Sequence, residues 1–349
     1  MAIPRWRATC VQTRCHVANS AANRSEAWNI IRGNLDRACE LIDGAINWGG
    51  RDIKLLLFPE FAFQGFPYRE SAQEWIDKAC HDLPGDISRP LQDKAREYGV
   101  YIGANHYESD PEWPGRYFNC SFLIDPAGEV ILKYRRINSA QTPSPHDFMD
   151  AYFERYGIEG TFPVADTPLG KLAMMPCGEI MFPEAARMFM MRGAEVLLQP
   201  TSDAGGPEHS AWESAKTVRA AENMMYLVSA NSCGTAGSNI AADNQGGNSR
   251  IIDYEGRTLA YGGPGESTRA SAMIDVEALR QARRTTGSQN RLLRSRFEIY
   301  RPLYEQTVFY PANAFATAPM PHRSAIIDVQ QQALRNMIER GVTVPSPPE

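Results

Sequence analysis

The chain lacks any apolar run near the roughly 18 residues a membrane-spanning helix needs, so no transmembrane segment is expected. A signal-like start is missing too. The opening MAIPRWRATCVQTRC has arginines but no continuous apolar stretch, which argues against secretion. No block of lysine and arginine occurs, and the formal net charge is -5 over 349 residues. A nucleic-acid groove is therefore not expected. CxxC pairs are also absent. The seven cysteines, at 10, 15, 39, 80, 120, 177 and 233, are odd in number and irregular in spacing. That pattern fits neither a disulfide framework nor a zinc site. It suits a reducing, cytoplasmic compartment, where most of these thiols act as small buried hydrophobes.

What is present is ample apolar material, 43% of residues, enough for a large core. Length allows two units of about 150 residues or one larger α/β unit. Residues 25–47 place Trp28, Ile31, Leu35, Ala38, Ile42 and Ile46 at steps of three or four, the spacing of an amphipathic helix. IKLLLFPE at 53–60 is short, continuously apolar and closed by a proline, as a buried strand would be. A helix over 87–98 follows, then strands in VYIGANHYE, YFNCSFLID and EVILKYRR. The second half alternates in the same way: strand KLAMMPC, helix PEAARMFMMRG, strand AEVLLQP, helix HSAWESAKTVRAAENM, strand MYLVSAN.

The halves also match residue by residue. SFLIDPAGEVIL (121–132) aligns without a gap on SRIIDYEGRTLA (249–260), with Ser, Ile, Asp and Gly in register. LLLFPE (55–60) and VLLQPT (196–201) form a looser pair. The expected architecture is two similar α–β halves in one domain, 1–310, each sheet covered by helices on one face. Residues 311–349 are rich in Pro and Ala, with one helical candidate at 327–340, and are expected to extend from the domain and either pack on a partner subunit or stay loose.

Three strand ends carry reactive side chains: Glu60 in FPE, Lys133 and Arg136 in KYRR, and Cys177 in MMPC. A cysteine nucleophile needs a base or a nearby positive charge, and donors aimed at the developing oxyanion. Strand ends are where α/β folds bring such groups together. Gly178 would leave its backbone N–H open to a substrate. On the residues alone, the default reading of Cys177 is a buried core thiol, with Glu60 as a loop cap or arginine partner and Arg135 and Arg136 as exposed edge charges.

Several ordered segments resemble the nitrilase superfamily of carbon–nitrogen hydrolases. They are FPEFAFQGF, NCSFLIDPAGEVILKYRR, CGEIMFPEAARMFMMRGAEVLLQPTS, VRAAENMMYLVSAN and GNSRIIDYEG, within a similarity running from about residue 5 to about 305. The resemblance implies a four-layer α-β-β-α sandwich of the α/β class and an amidase-like or carbamoylase-like hydrolase. In it Glu60 serves as base, Cys177 as nucleophile, and Gly178 N–H with a cation as oxyanion donors. It implies no metal or organic cofactor, a small-molecule substrate, no nucleic-acid or membrane partner, and a homo-oligomer.

Two positions depart from the family pattern. Arg136 stands where lysine is expected, and Lys133, three residues away, should face the other side of the strand. Gly178 stands where an aromatic residue is common. The arginine keeps a fixed charge but cannot give up a proton at neutral pH. Two other readings stay open: a nitrilase working through a thioimidate, and a non-catalytic protein that kept the fold. A second acidic substrate residue is expected within 139–157, with His146, Asp147, Asp150 and Glu154 as candidates. The same stretch also reads as an amphipathic helix over the mouth, bringing Phe148, Tyr152 and Phe153 to the entrance.

Overall fold

A computed structural model of the chain describes residues 2–139, 142–204 and 210–345. Two six-stranded sheets form its centre. The first runs, edge to edge, Ser271–Ile274, Trp6–Cys10, Ile53–Leu57, Tyr101–Ser109, Tyr117–Ile124 and Val130–Arg135. The second runs Thr258–Tyr261, Arg250–Ile252, Tyr226–Asn231, Val196–Thr201, Gly170–Met174 and Ala165–Thr167. From Trp6–Cys10 onward, the first sheet pairs parallel, parallel, antiparallel, antiparallel. From Gly170–Met174 onward, the second repeats that order. The four-layer sandwich of two similar halves is therefore the observed fold.

The repeat reaches individual hydrogen bonds. Asp125 Oδ1 accepts from the backbone N–H of Ala127 and Glu129, both at 2.9 Å. Asp253 Oδ1 accepts from Glu255 and Arg257, also at 2.9 Å. Gly128 and Gly256 then turn the chain at φ 80° and 89°, a region glycine enters without steric cost. An aspartate-anchored turn that needs one glycine explains why Asp and Gly are among the residues that match.

Strand alternation sorts the core into layers. Leu55, Leu57 and Leu123 face the second sheet, while Leu56 and Phe122 face helices Arg24–Gly49 and Ser88–Tyr98; Ile53, before a register shift in the pairing, also lies on the helix side. Helices Pro183–Met191, Ala211–Asn223 and Val276–Arg284 cover the outer face of the second sheet, through Phe189, Ala215, Ala220 and Leu279 among others. Ala72–Ala79, Val276–Arg284 and Phe297–Gln306 are helices that the sequence reading did not assign.

Residues beyond 310 are described to 345, and helix Ala325–Glu339 sits close to the expected place. The segment is held on its own chain. Asn313 and Phe315 donate backbone N–H bonds to the carbonyls of His146 and Asp147 at 3.0 and 2.9 Å. Arg116 donates to the Phe315 carbonyl at 2.8 Å. No helix among the described residues is long and apolar enough to cross a membrane.

Candidate active site

Four strand ends, two from each sheet, converge at one edge of the sandwich. Glu60 follows Ile53–Leu57 and Arg136 follows Val130–Arg135; Cys177 follows Gly170–Met174 and Ser202 follows Val196–Thr201. The Glu60 backbone N–H donates to the Thr201 carbonyl at 3.3 Å, joining one sheet's loop to the other's. Together with Phe61, Phe66, Tyr107 and Thr142, these side chains line a cavity of about 200 Å³.

Glu60 is buried and its carboxylate is fully engaged. Oε1 accepts from Asn119 Nδ2 at 2.7 Å and from Arg136 Nη1 at 3.1 Å; Oε2 accepts from Ser202 Oγ at 2.7 Å. The same Ser202 hydroxyl lies 3.7 Å from Cys177 Sγ. Sulfur, carboxylate and guanidinium thus share one pocket, linked through a serine that sequence reading did not select. Asn119 lies in the quoted NCS segment but carried no role there. In turn, Asn105 donates to Asn119 Oδ1 at 2.7 Å and fixes its amide.

Cys177 adopts φ 46°, and Phe61, next to Glu60, adopts φ 62°. Each conformation costs a non-glycine residue of order 1–3 kcal/mol and persists only where surroundings enforce it. For Cys177 the enforcement is visible. Gln199 Nε2 donates to its carbonyl at 3.0 Å, and the chain turns at once into the short helix Cys177–Met181. Burial, then the Glu60 carboxylate, push the Cys177 thiol up to about 12, against the pull of Arg136. The resting thiol is therefore protonated at neutral pH. Burial works to lower the Arg136 guanidinium, but the acidic groups around it, Glu60 foremost, together raise it and hold it charged.

Glu179, two residues after the cysteine, is a structural tie. It accepts from Tyr134 Oη at 2.8 Å and from the backbone N–H of Ile137 and Asn138 at 3.0 and 2.7 Å. It thereby locks the loop after Arg136 to the Cys177 turn. Lys133 faces away, as strand alternation requires, and pairs with Glu108 at 2.6 Å. Behind the thiol, Asp203 Oδ1 lies 4.0 Å from Sγ, and buried Lys216 bridges Asp203 and Glu213. Neither Asp203 nor Lys216 was selected from sequence. Arg219 donates to the Ile180 carbonyl at 3.0 Å and pairs with Glu222 at 2.9 Å, tying its helix to the Cys177 turn.

His146 and Asp147 do not reach the inner cavity. They line a neighbouring one of about 530 Å³, together with Arg136 and Gly178. Asp147 Oδ2 accepts from the Ser144 backbone N–H at 2.9 Å, and burial raises its carboxyl to about 6. Burial also lowers His146. Phe148 and Tyr152 pack with Trp113 in the interior instead of lining an entrance, and Phe153 is exposed. Among the described residues, no group of three His, Cys, Asp or Glu side chains is arranged to hold a metal ion.

Comparison with known proteins identifies the family. The family model for carbon–nitrogen hydrolases matches residues 8–284. The omega-amidase NIT2 of Xenopus tropicalis is 29% identical over 253 residues, 72% of this chain and 86% of that protein. A formamidase of Bacillus cereus is 29% identical over 266 residues, 75% of this chain and 74% of that protein. Among solved structures, a carbon–nitrogen hydrolase from Helicobacter pylori superposes with a TM-score of 0.65 at 20% identity, covering 86% of this chain and 98% of that one. An amidase from Nesterenkonia sp., in a variant carrying the acetamide moiety of fluoroacetamide on its active-site cysteine, superposes with a TM-score of 0.60 at 22% identity, covering 85% and 96%. The chain belongs to the carbon–nitrogen hydrolase family.

Proposed function

We propose that the chain hydrolyses the C–N bond of a small carboxamide or N-carbamoyl compound, with Cys177 as nucleophile, Glu60 as proton carrier, and Arg136 with the Gly178 N–H as oxyanion donors. One observation carries the reading. Glu60 divides its carboxylate between Arg136 and a serine that touches the Cys177 sulfur, inside a cavity sized for a small polar group. A thiol raised to about 12 needs a base at the moment of attack. Glu60 takes the thiol proton as Sγ bonds to the carbonyl carbon. The oxygen gains the negative charge, facing Arg136. When the C–N bond breaks, Glu60 returns that proton to the departing nitrogen, and ammonia or an amine leaves. Water then attacks the thioester, giving a proton to Glu60; the acid departs and the thiol is restored. His146 and Asp147 contact substrate only where it extends beyond the inner cavity.

The reading extends to a homo-oligomer in a reducing, cytoplasmic setting. All seven cysteines are free. Helix Phe297–Gln306 buries none of its residues, which suits a second copy. The outer face of the C-terminal extension, with Ile327 and Leu334 exposed, would join that contact.

Ammonia release from a panel of amides and N-carbamoyl compounds tests the activity. Turnover should fall to background in Cys177→Ala and by about a hundredfold or more in Glu60→Gln. Paired nitrile and amide substrates separate the nitrilase alternative: a nitrile consumed faster than its amide would replace the proposal. No turnover of any amide, with Cys177 alkylated no faster than in Glu60→Gln, would end it.

A further inference from the structure

The family model ends at residue 284, yet residues beyond it build part of the cavity next to the inner one. This outer cavity, about 530 Å³, shares Arg136, Ser139 and Thr142 with the inner one. Its character is different. The inner cavity converges on the Glu60–Arg136 pair, whereas the outer one adds to its polar residues, His146 and Asp147 among them, the apolar faces of Phe182, Trp212, Tyr310 and Ile326. Tyr310 and Ile326 come from the C-terminal segment, as does Gln330. The segment is anchored there. Tyr310 packs on the His146 ring with centroids 5.7 Å apart, Ile326 is buried, and residues 313 and 315 are hydrogen-bonded to 146 and 147. Cys177 faces the inner cavity and Gly178 the outer. A Cβ at 178 would come within 3.1 Å of Trp212 Cη2, so glycine keeps open the room between nucleophile and indole.

We propose that the outer cavity is a substrate subsite for a planar apolar group joined to the carboxamide by a short linker, and that the C-terminal segment selects for it. The inference rests on the hydrolytic reading above and names its substrate class. An inner cavity of about 200 Å³ takes the carboxamide and little else. A larger amide must project past Gly178 and Arg136, where Phe182, Trp212 and Tyr310 offer aromatic faces beside the polar His146 and Asp147. Which side of the amide bond carries the apolar group is left to the substrates used in the test.

The test compares acetamide with phenylacetamide and N-benzylacetamide in the full chain, in Gln330→Trp, which fills the cavity mouth, and in Tyr310→Ala. Both positions lie outside the inner cavity. For whichever aryl amide is preferred, kcat/KM should fall about tenfold or more in each variant, while acetamide stays within about twofold. Parallel losses on acetamide and the aryl amides, or no loss on either, would overturn the proposal. A second readout is independent of turnover: Cys177 alkylation by 2-chloroacetamide and by N-benzyl-2-chloroacetamide, followed by intact mass. The ratio of benzyl to parent rate should drop in both variants. An unchanged ratio overturns the subsite. A changed ratio with no hydrolysis of any amide supports the subsite and defeats the hydrolytic reading alone.

Discussion

At the residue scale, the two departures from the family pattern occupy one place. A Cβ on Gly178 would stand 2.8 Å from Arg136 Nη2, so the guanidinium fills space that a side chain at 178 would need. Arg136 is also wider than the lysine it replaces and reaches Glu60 with Nη1 while Nε bonds the Asn138 carbonyl at 3.1 Å. Gly178→Ala should therefore displace Arg136 and lower kcat/KM for a small amide by about tenfold or more, with the backbone unaffected. Arg136→Lys in the Gly178→Ala background should recover part of that loss, because a lysine amine needs less width. A double-mutant cycle on kcat/KM measures this, with an expected coupling of about 1–3 kcal/mol. Losses that simply add would show the two positions to be independent. Glu60, Arg136, Cys177 and Gly178 were legible because each sits in a short strand-end signature. Ser202 and Asp203 were not, since the loop from 202 has no period to read. Lys216 was hidden for another reason: in an amphipathic helix, periodicity alone does not say that a lysine turns inward to meet two carboxylates.

At the element scale, strong periods translated well. The stepped apolar residues of 25–47 became helix Arg24–Gly49, and the apolar run at 53 became strand Ile53–Leu57. Three helices were missed: Ala72–Ala79 and Val276–Arg284 are only eight and nine residues long, too short for a period to repeat, and Phe297–Gln306 contains Pro302. The stretch 139–157 shows both outcomes. A helix is there, Met149–Thr161, but Gly157 breaks its geometry at φ 61°, and a short turn, Pro145–Phe148, precedes it. Asp147 belongs to that turn and gives a pH signature. Its carboxyl is raised from 3.8 to about 6 by burial. Between those values the folded state keeps the proton that the unfolded chain releases, so this group's contribution to stability falls as pH rises from about 4 to about 6, then levels off. Asp147→Asn keeps an oxygen for the Ser144 N–H and removes the titration. Relative to the parent, it should gain about 1–2 kcal/mol at pH 7.5 and little at pH 4. Chemical denaturation at the two pH values checks this. An equal effect at both would mean that the carboxyl does not titrate in that window.

At the scale of the whole molecule, repetition built the site. Each half places two parallel strand ends at the same edge, one half supplying Glu60 and the other Cys177 and Ser202. The aligned turns at Asp125 and Asp253 made that duplication readable in sequence, but how the halves face each other depends on side-chain packing between sheets, which no local pattern encodes. The same holds for what covers the exterior. Ile299 is 72% exposed, Leu303 69% and Tyr304 62%, on a helix whose neighbour, Pro183–Met191, exposes Met191. Between the two helices lies a cavity of about 870 Å³, bridged by the bond from Tyr304 Oη to Glu184 Oε1 at 2.9 Å. Exposed apolar side chains grouped in this way suit an interaction site, and a self-complementary dimer is the commonest way to cover one. Helix Pro183–Met191 begins two residues after the Cys177 turn ends. A copy seated there would therefore brace the nucleophile's loop as well as hide the patch. Light scattering coupled to size-exclusion chromatography should give a dimer or larger for the parent chain. Ile299→Glu with Leu303→Glu should yield a folded monomer by circular dichroism, with activity reduced because that brace is lost. A parent chain that runs as a monomer at micromolar concentration, with activity indifferent to both substitutions, would show that this surface is not covered by a second copy.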